Sequence, residues 1–452
     1  MFNQKNFLIL FLAVVVIALI YALAGDDSEH ASNSSKGLKI QSWQAKSGAK
    51  VLYVPAPQLP MLDVRVVFDA GSARDNGKPG LAAMTNLLLD HGAGDWDTNQ
   101  IVERFDDVGA EYRASADRDM ASLSLRSLTD KELLDTALQN LKVILQKPAF
   151  KAEEFERERK RALVGLKNQK ESPETLANIA FYKALYKDHP YATPVSGTIE
   201  SISALKLEDI KAFYQQYYVA KNAMVVIVGA VDKSQAKEIA ERILDGLPGG
   251  EKPADLPKPE PLKQPVVIKQ DHPSKQTTIL VGQDGVLRGD KDYFALYVGN
   301  HILGGGGFGS RIVEEIRESR GLAYSSYSFF LPMRVKGPFI MGLQTRNDQA
   351  DEALKLLMQT LKTFITDGPR EAELISTKKN LTGGFPLRID SNKDIAEYVS
   401  MIGFYDLPLD YLTNFNANVE QVTLKQIKDA FKRRVDPDKM VTVMVGGQAA
   451  KK

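Results

Sequence analysis

The sequence predicts an α+β protein of two related halves, each a mainly antiparallel sheet with helices on one face, behind an N-terminal membrane-directed segment. Three observations carry this: a segment repeated at constant offset, a proline-rich connector between the copies, and an unbroken apolar run near the start. Leu205–Gly229 lies without gaps on Val422–Gly446, an offset of 217 residues. Leu207 meets Leu424, Ile210 meets Ile427 and Lys211 meets Lys428, and the apolar ends coincide at Val226/Val443, Val228/Val445 and Gly229/Gly446. Only six of the 25 pairs are identical, so the shared pattern is what counts. Apolar residues at helical spacing followed by a short apolar run ending in Gly predict, in each copy, an amphipathic helix and a buried strand.

Composition narrows the function classes. A chain of 452 residues exceeds one hydrophobic core, and 44% hydrophobic with 25% charged residues matches a water-soluble globular body. Lys and Arg total 58 against 57 for Asp and Glu, which leaves no net field for nucleic acid, and no nucleic-acid partner is expected. The absence of cysteine removes disulfides, thiolate catalysis, iron–sulfur clusters and cysteine-rich zinc sites.

The elements follow in chain order. Phe7 to Ala24 is an 18-residue apolar run, with Lys5 before it and Asp26, Asp27 and Glu29 after it. At about 1.5 Å rise per residue it nearly spans a hydrocarbon core, and the charge asymmetry predicts an exported body on the periplasmic side of a bacterial inner membrane. Ala22-Leu23-Ala24 also reads as a small-x-small cleavage site. Residues 1–24 are therefore either a retained signal anchor or a removed signal peptide that leaves the body soluble in the periplasm, and residues 25–36 read as a tether.

The first half, residues 37–247, opens with the strand pattern Val64–Phe68 and an apolar helix over 81–89, followed by charged helices over 99–108, 130–145 and 151–170. Six prolines between Pro248 and Pro265 mark residues 248–265 as an extended linker. The second half, 266–449, repeats the opening with a strand at 278–281 and a helix over 293–303. Gly304, Gly305, Gly306, Gly307, Phe308 and Gly309 then read as a flexible loop before a helix starting near Ser310. That run lacks the Lys-Ser/Thr ending of a phosphate-binding loop, which argues against nucleotide binding.

Two phrases, GSARDNGKPGLAAMTNLLLDHG and GGGGFGSRIVEEIRESRGLAYSSYS, stand in these two halves. Together with the repeat they resemble the pitrilysin-type zinc protease family, which includes the mitochondrial processing peptidases, over residues 40 to 448. The resemblance implies a clamshell in which the first half carries zinc and the second helps hold peptide. The family's H-x-x-E-H motif supplies two imidazoles for the metal and a Glu as general base, after Gly-Leu-Ala. Here Gly80-Leu81-Ala82 is followed by Ala83, Asn86 and Leu87 at the three functional positions. Methyl groups donate no lone pair, and an amide does not accept a proton from water at neutral pH. The third ligand's place falls on Val164 and Gly165, neither of which ligates metal.

No two of His30, His91, His189, His272 and His301 lie within two helical turns. His91, four residues past Leu87, reads as a helix-end or surface residue rather than a ligand. By contrast, Arg317 and Tyr324, seven residues apart, match the family's substrate-clamping pair. The resemblance implies that they approach the scissile carbonyl, where fixed donors stabilise an oxyanion. Read without it, Arg317 is an exposed helix residue and Tyr324 a strand residue packed on the sheet. The glycine run, Gly304–Gly307, is implied to touch substrate as in the zinc-less processing-peptidase subunit; read alone it is a permissive turn. The expectation is a non-catalytic, peptide-binding subunit, without zinc of its own, that completes the site of a separate zinc-bearing homologue acting on peptides or unfolded protein. A scaffold without proteolytic role, or a protease active alone through another metal site, are the alternatives.

Overall fold

The computed structural model describes residues 38–447. The apolar run and the tether lie outside the described residues; among those described, no helix is long and apolar enough to cross a membrane. Two mixed sheets organise the chain. The first contains β1 (Gln41–Gln44), β2 (Lys50–Pro55), β3 (Met61–Phe68), β4 (Glu111–Ala116), β5 (Ala121–Leu128) and β6 (Ala223–Gly229), in the order β1-β2-β6-β3-β5-β4. The second contains β7 (Val266–Gln270), β8 (Gln276–Asp284), β9 (Ala323–Phe330), β10 (Pro338–Arg346) and β11 (Val441–Val445), in the order β7-β11-β8-β10-β9.

Apart from β1, the sheets share one topology: β2 matches β7, β6 matches β11, β3 matches β8, β5 matches β10 and β4 matches β9. In each, a single parallel pair, β2 with β6 and β7 with β11, joins otherwise antiparallel ladders. The repeat is preserved as structure: helix Leu207–Tyr217 leads into β6, and helix Leu424–Arg434 leads into β11. The charged helices appear as Thr98–Asp106, Lys131–Gln146 and Ala152–Gln169.

The helices do not keep to one face. β6 is buried along its whole length, which a strand bare on one side could not be. Val225 and Ile227 pack with the first half's own helices, whereas Met224, Val226 and Val228 pack with Ile395, Val399 and Ile402 of the second half's helix Asn392–Phe404. The exchange is reciprocal. Helix Pro173–Tyr186 of the first half lies on β8 and β11, burying Ala177 and Phe181 against Leu280, Ile340, Val441 and Val443. Gly403 marks how close the crossing is, since a Cβ there would overlap Leu52 Cδ1 and Met224 Sδ.

Polar contacts reinforce the join. Asp119, buried between β4 and β5, accepts the hydroxyl of Tyr191, the hydroxyl of Tyr405 at 2.8 Å and the backbone N–H of Arg334 at 2.9 Å. Lys50 donates to Asp406 at 2.7 Å and to the Gly403 carbonyl at 2.8 Å. The linker carries no regular structure, yet Leu256 and Leu262 are buried and the Ala254 carbonyl accepts from Arg74 at 2.7 Å. The halves are interlocked by exchanged helices, because each sheet's second apolar face is covered by the other half.

Candidate functional site

Helix Leu81–Leu87 holds the positions where zinc ligands were expected. It starts at Gly80, whose φ of 91° suits glycine, and the Asp75 carboxylate accepts the N–H groups of Gly80 and Ala82, each at 2.8 Å. Burial pushes the Asp75 carboxyl up to about 7, against the lowering effect of those two N–H donors. Along the helix, Ala83 is half-buried, Leu87 is exposed, and Asn86 is sealed in the interior. Asn86 donates its side-chain N–H to the Tyr218 hydroxyl at 3.1 Å. Tyr218 is itself fully buried, and burial raises its phenol pKa. The position where a general base was expected thus holds an amide committed to a phenol, which makes it part of the core.

Nothing nearby compensates. Val164 is exposed on helix Ala152–Gln169 and Gly165 faces open space. His91 stands 3.0 Å from Asp90 and 3.4 Å from Glu158. Burial opposes its protonation, but the two carboxylates outweigh it and raise its pKa, as for an ion-paired imidazolium. Among the described residues no three His, Asp or Glu side chains converge to hold a metal ion. Methyls and a committed amide do not fit zinc, so no step through that metal is derived for this chain.

The second group forms around β9. Helix Arg311–Val313 widens into the turn Glu314–Glu318, which carries Arg317, and Gly321, with φ of 61°, reverses the chain into β9. The Arg317 guanidinium lies 4.6 Å from the Phe308 ring centre and 4.8 Å from that of Tyr324. Both rings are open to solvent, Phe308 at 72% and Tyr324 at 81% exposure, so a cation is sandwiched between two aromatic faces on the surface. Tyr324 points away from the sheet instead of packing on it. Glu318 lies 3.5 Å from Arg317 and neutralises part of its charge.

The glycine run is less free than its composition predicts. Gly304 and Gly305 close the wide helical turn His301–Gly305, and a Cβ would meet Ser328 Oγ at 2.6 Å from Gly304 or Asn300 Nδ2 at 2.5 Å from Gly305. Gly306 is similarly crowded by His301, whereas Gly307 has open space and φ of 63°. Gly304 lets the turn press against Ser328 of β9, while Gly305 and Gly306 let it close on Asn300 and His301; Gly307, at positive φ, precedes Phe308, whose ring faces Arg317. Phe308 had no assigned role from sequence, and its signal was a lone aromatic inside a glycine run. Gly304–Gly307, Arg317 and Tyr324 therefore come together, while Ala83, Asn86 and Leu87 sit beside β4, the corresponding edge of the other sheet. Among the described residues no hydrogen bond, ion pair or ring contact joins the two groups.

Residues 50–199 match the family described as Insulinase (Peptidase family M16), and residues 204–381 match the one described as Peptidase M16 inactive domain. A crystal structure of a peptidase M16 inactive domain from Pseudomonas fluorescens is 38% identical, with a TM-score of 0.88, covering 92% of this chain and 99% of that one. A protease from Helicobacter pylori superposes with a TM-score of 0.83 at 22% identity over 90% of this chain and 99% of its own, a likeness of fold. Among curated proteins, the "Non-peptidase homolog YmxG" of Helicobacter pylori is 26% identical across 88% of this chain and 92% of its own length. An "Uncharacterized zinc protease" of Rickettsia felis is 27% identical across 82% and 91%.

Proposed function

Because the chain belongs to peptidase family M16, we propose that it is a non-catalytic, peptide-binding subunit that completes the active site of a separate zinc-bearing homologue. One observation carries the reading: the metal-binding helix has been absorbed into the core through Asn86 and Tyr218, while Arg317 is held ready on the surface between Phe308 and Tyr324. A core amide and two alkyl groups supply no hydrolytic chemistry. A guanidinium and a phenol supply the donors that a developing oxyanion and a peptide backbone need. Zinc and general base would come from the partner; donors and docking surface would come from this chain, whose substrate would be peptide or unfolded protein. The name of the Helicobacter pylori relative, a non-peptidase homolog, supports the non-catalytic part.

The test is co-expression with a family member bearing intact H-x-x-E-H. Peptide cleavage by the purified pair is expected to fall about 100-fold with Arg317→Ala, the scale of one lost oxyanion donor, and less with Tyr324→Phe, with assembly unchanged. Equal cleavage by wild type and both variants would remove the composite site. From the apolar run Phe7–Ala24 we also place the body on the periplasmic side of the inner membrane, held there by that segment or released by its cleavage. Protease added to spheroplasts should digest the body; protection of it until lysis would place the body in the cytoplasm.

A further inference from the structure

Where the halves meet there is a cavity of about 540 Å³, within the usual range for small-ligand sites. Its wall combines apolar side chains, Met120, Leu331, Pro332, Met333 and Met401, with charged ones. The charges divide into two classes. Three of the four acids already have protein donors. Asp119 accepts from two tyrosines and a backbone N–H, Asp117 from the N–H groups of Asp119 and Met120, and Asp394 from Ser391, while Glu397 lies 3.8 Å from Arg65.

The arginines are different. Among the described residues only four arginines have no carboxylate within 4.0 Å: Arg104, Arg118, Arg288 and Arg388. Three of the four line this cavity. Arg118 is occupied, stacked 3.7 Å from the Tyr182 ring centre and donating to the Tyr191 carbonyl. Arg288 is not: its guanidinium faces the Tyr405 ring at 5.4 Å, and its Nε is buried with no acceptor among the described residues. A buried charged donor without an acceptor is costly, and an anion removes that cost. Arg388, at the exposed mouth, donates to the Tyr297 hydroxyl at 2.6 Å.

A second cavity, of about 580 Å³, shares Arg288, Arg388, Leu331 and Pro332 with the first and extends to His301, Gly305 and Gly306 beneath the glycine turn. The two arginines thus stand on a common wall, with apolar space beyond. We propose that this joined cavity binds an organic carboxylate with an apolar body, its anionic end held by Arg288 and Arg388. The C-terminal residue of a peptide and a free organic acid both have this chemistry. Their binding here does not depend on the composite-site reading, since Arg317 and Tyr324 take no part.

Calorimetric titration of the full-length protein in non-ionic detergent tests it, with four probes: N-acetylphenylalanine, its amide, and an N-acetylated hexapeptide ending in Phe as acid and as amide. At least one acid should bind at least tenfold more tightly than its amide, and Arg288→Gln and Arg388→Gln should each erase the preference while Arg317→Ala preserves it. Tighter binding of the peptide acid identifies a chain terminus as ligand; tighter binding of the small acid identifies a free acid. Indifference between acid and amide for both probe pairs in the wild type overturns the proposal, and this needs no variant. Should Arg288→Gln fail to fold, Arg388→Gln at the exposed mouth carries the mutational arm, and an undiminished acid preference there overturns it equally.

Discussion

Asn86 shows how an amide ties a helix to the core. As a carboxylate in a metal site it would need solvent or an ion; as an amide it is compatible with burial, provided its donor finds an acceptor, which Tyr218 provides. Asn86→Ala should therefore cost about 1–3 kcal/mol by leaving the Tyr218 hydroxyl sealed and unbonded. Tyr218→Phe should strand the amide in turn. A double-mutant cycle by urea denaturation measures the coupling, and additive single effects would show that the pair is not acting as a unit. On the exposed side, Phe308→Ala should loosen Arg317 and lower cleavage by the assembled pair in the same direction as Arg317→Ala, though by less, since one cation–π contact amounts to about 0.5–1 kcal/mol at an exposed site. That Ala83, Asn86 and Leu87 offer neither imidazole nor carboxylate could be read from the sequence, because residue identity needs no geometry. The place of Phe308 could not, since only the turn at Gly307 and the ring distances reveal it.

At the level of elements, the stretch from helix Arg311–Val313 to β9 depends on one ion pair. Arg311 meets Glu373 of helix Glu371–Gly384 through two hydrogen bonds, at 2.9 and 2.7 Å, with both side chains largely buried. Burial raises the Glu373 carboxyl, but Arg311 and Arg370 outweigh it and hold it at about 2. A depressed native pKa means that the unfolded chain binds the proton more readily. This contribution is thus complete above about 4.5 and is lost as pH falls toward 2. Glu373→Gln should lower the denaturation midpoint at pH 6 and converge with wild type only as pH falls through about 2; an equal deficit at both pH values would show that packing, not charge, accounts for the loss. The same scale explains the glycines. Composition announced a permissive segment, but Gly304 is crowded by Ser328 of β9, Gly305 by Asn300 and Gly306 by His301, contacts that exist only once the turn has closed and packed.

For the molecule as a whole, the exchanged helices matter most. Phe181→Ala removes a fully buried ring from the face of the opposite sheet and should cost about 3–5 kcal/mol. If the halves are as interdependent as the packing indicates, residues 38–250 and 265–447 expressed apart should each aggregate through an uncovered sheet face, and expressed together should copurify. Proteolytic cutting within 248–265 of the intact protein should leave one particle on size exclusion, and dissociation after cutting would contradict the interlock. The two α+β halves and their repeat could be read from the chain, because helical periodicity and buried-strand runs are local signals.

The destination of helices Pro173–Tyr186 and Asn392–Phe404 could not, since an amphipathic face records that it is covered and not by what. That distinction holds for the function too. Chemistry that depends on residue identity, such as the alkyl side chains of Ala83 and Leu87, is written along the chain. Chemistry that depends on proximity, such as Phe308 beside Arg317 or Arg288 facing a cavity between the halves, arises only when segments far apart in sequence are packed into contact.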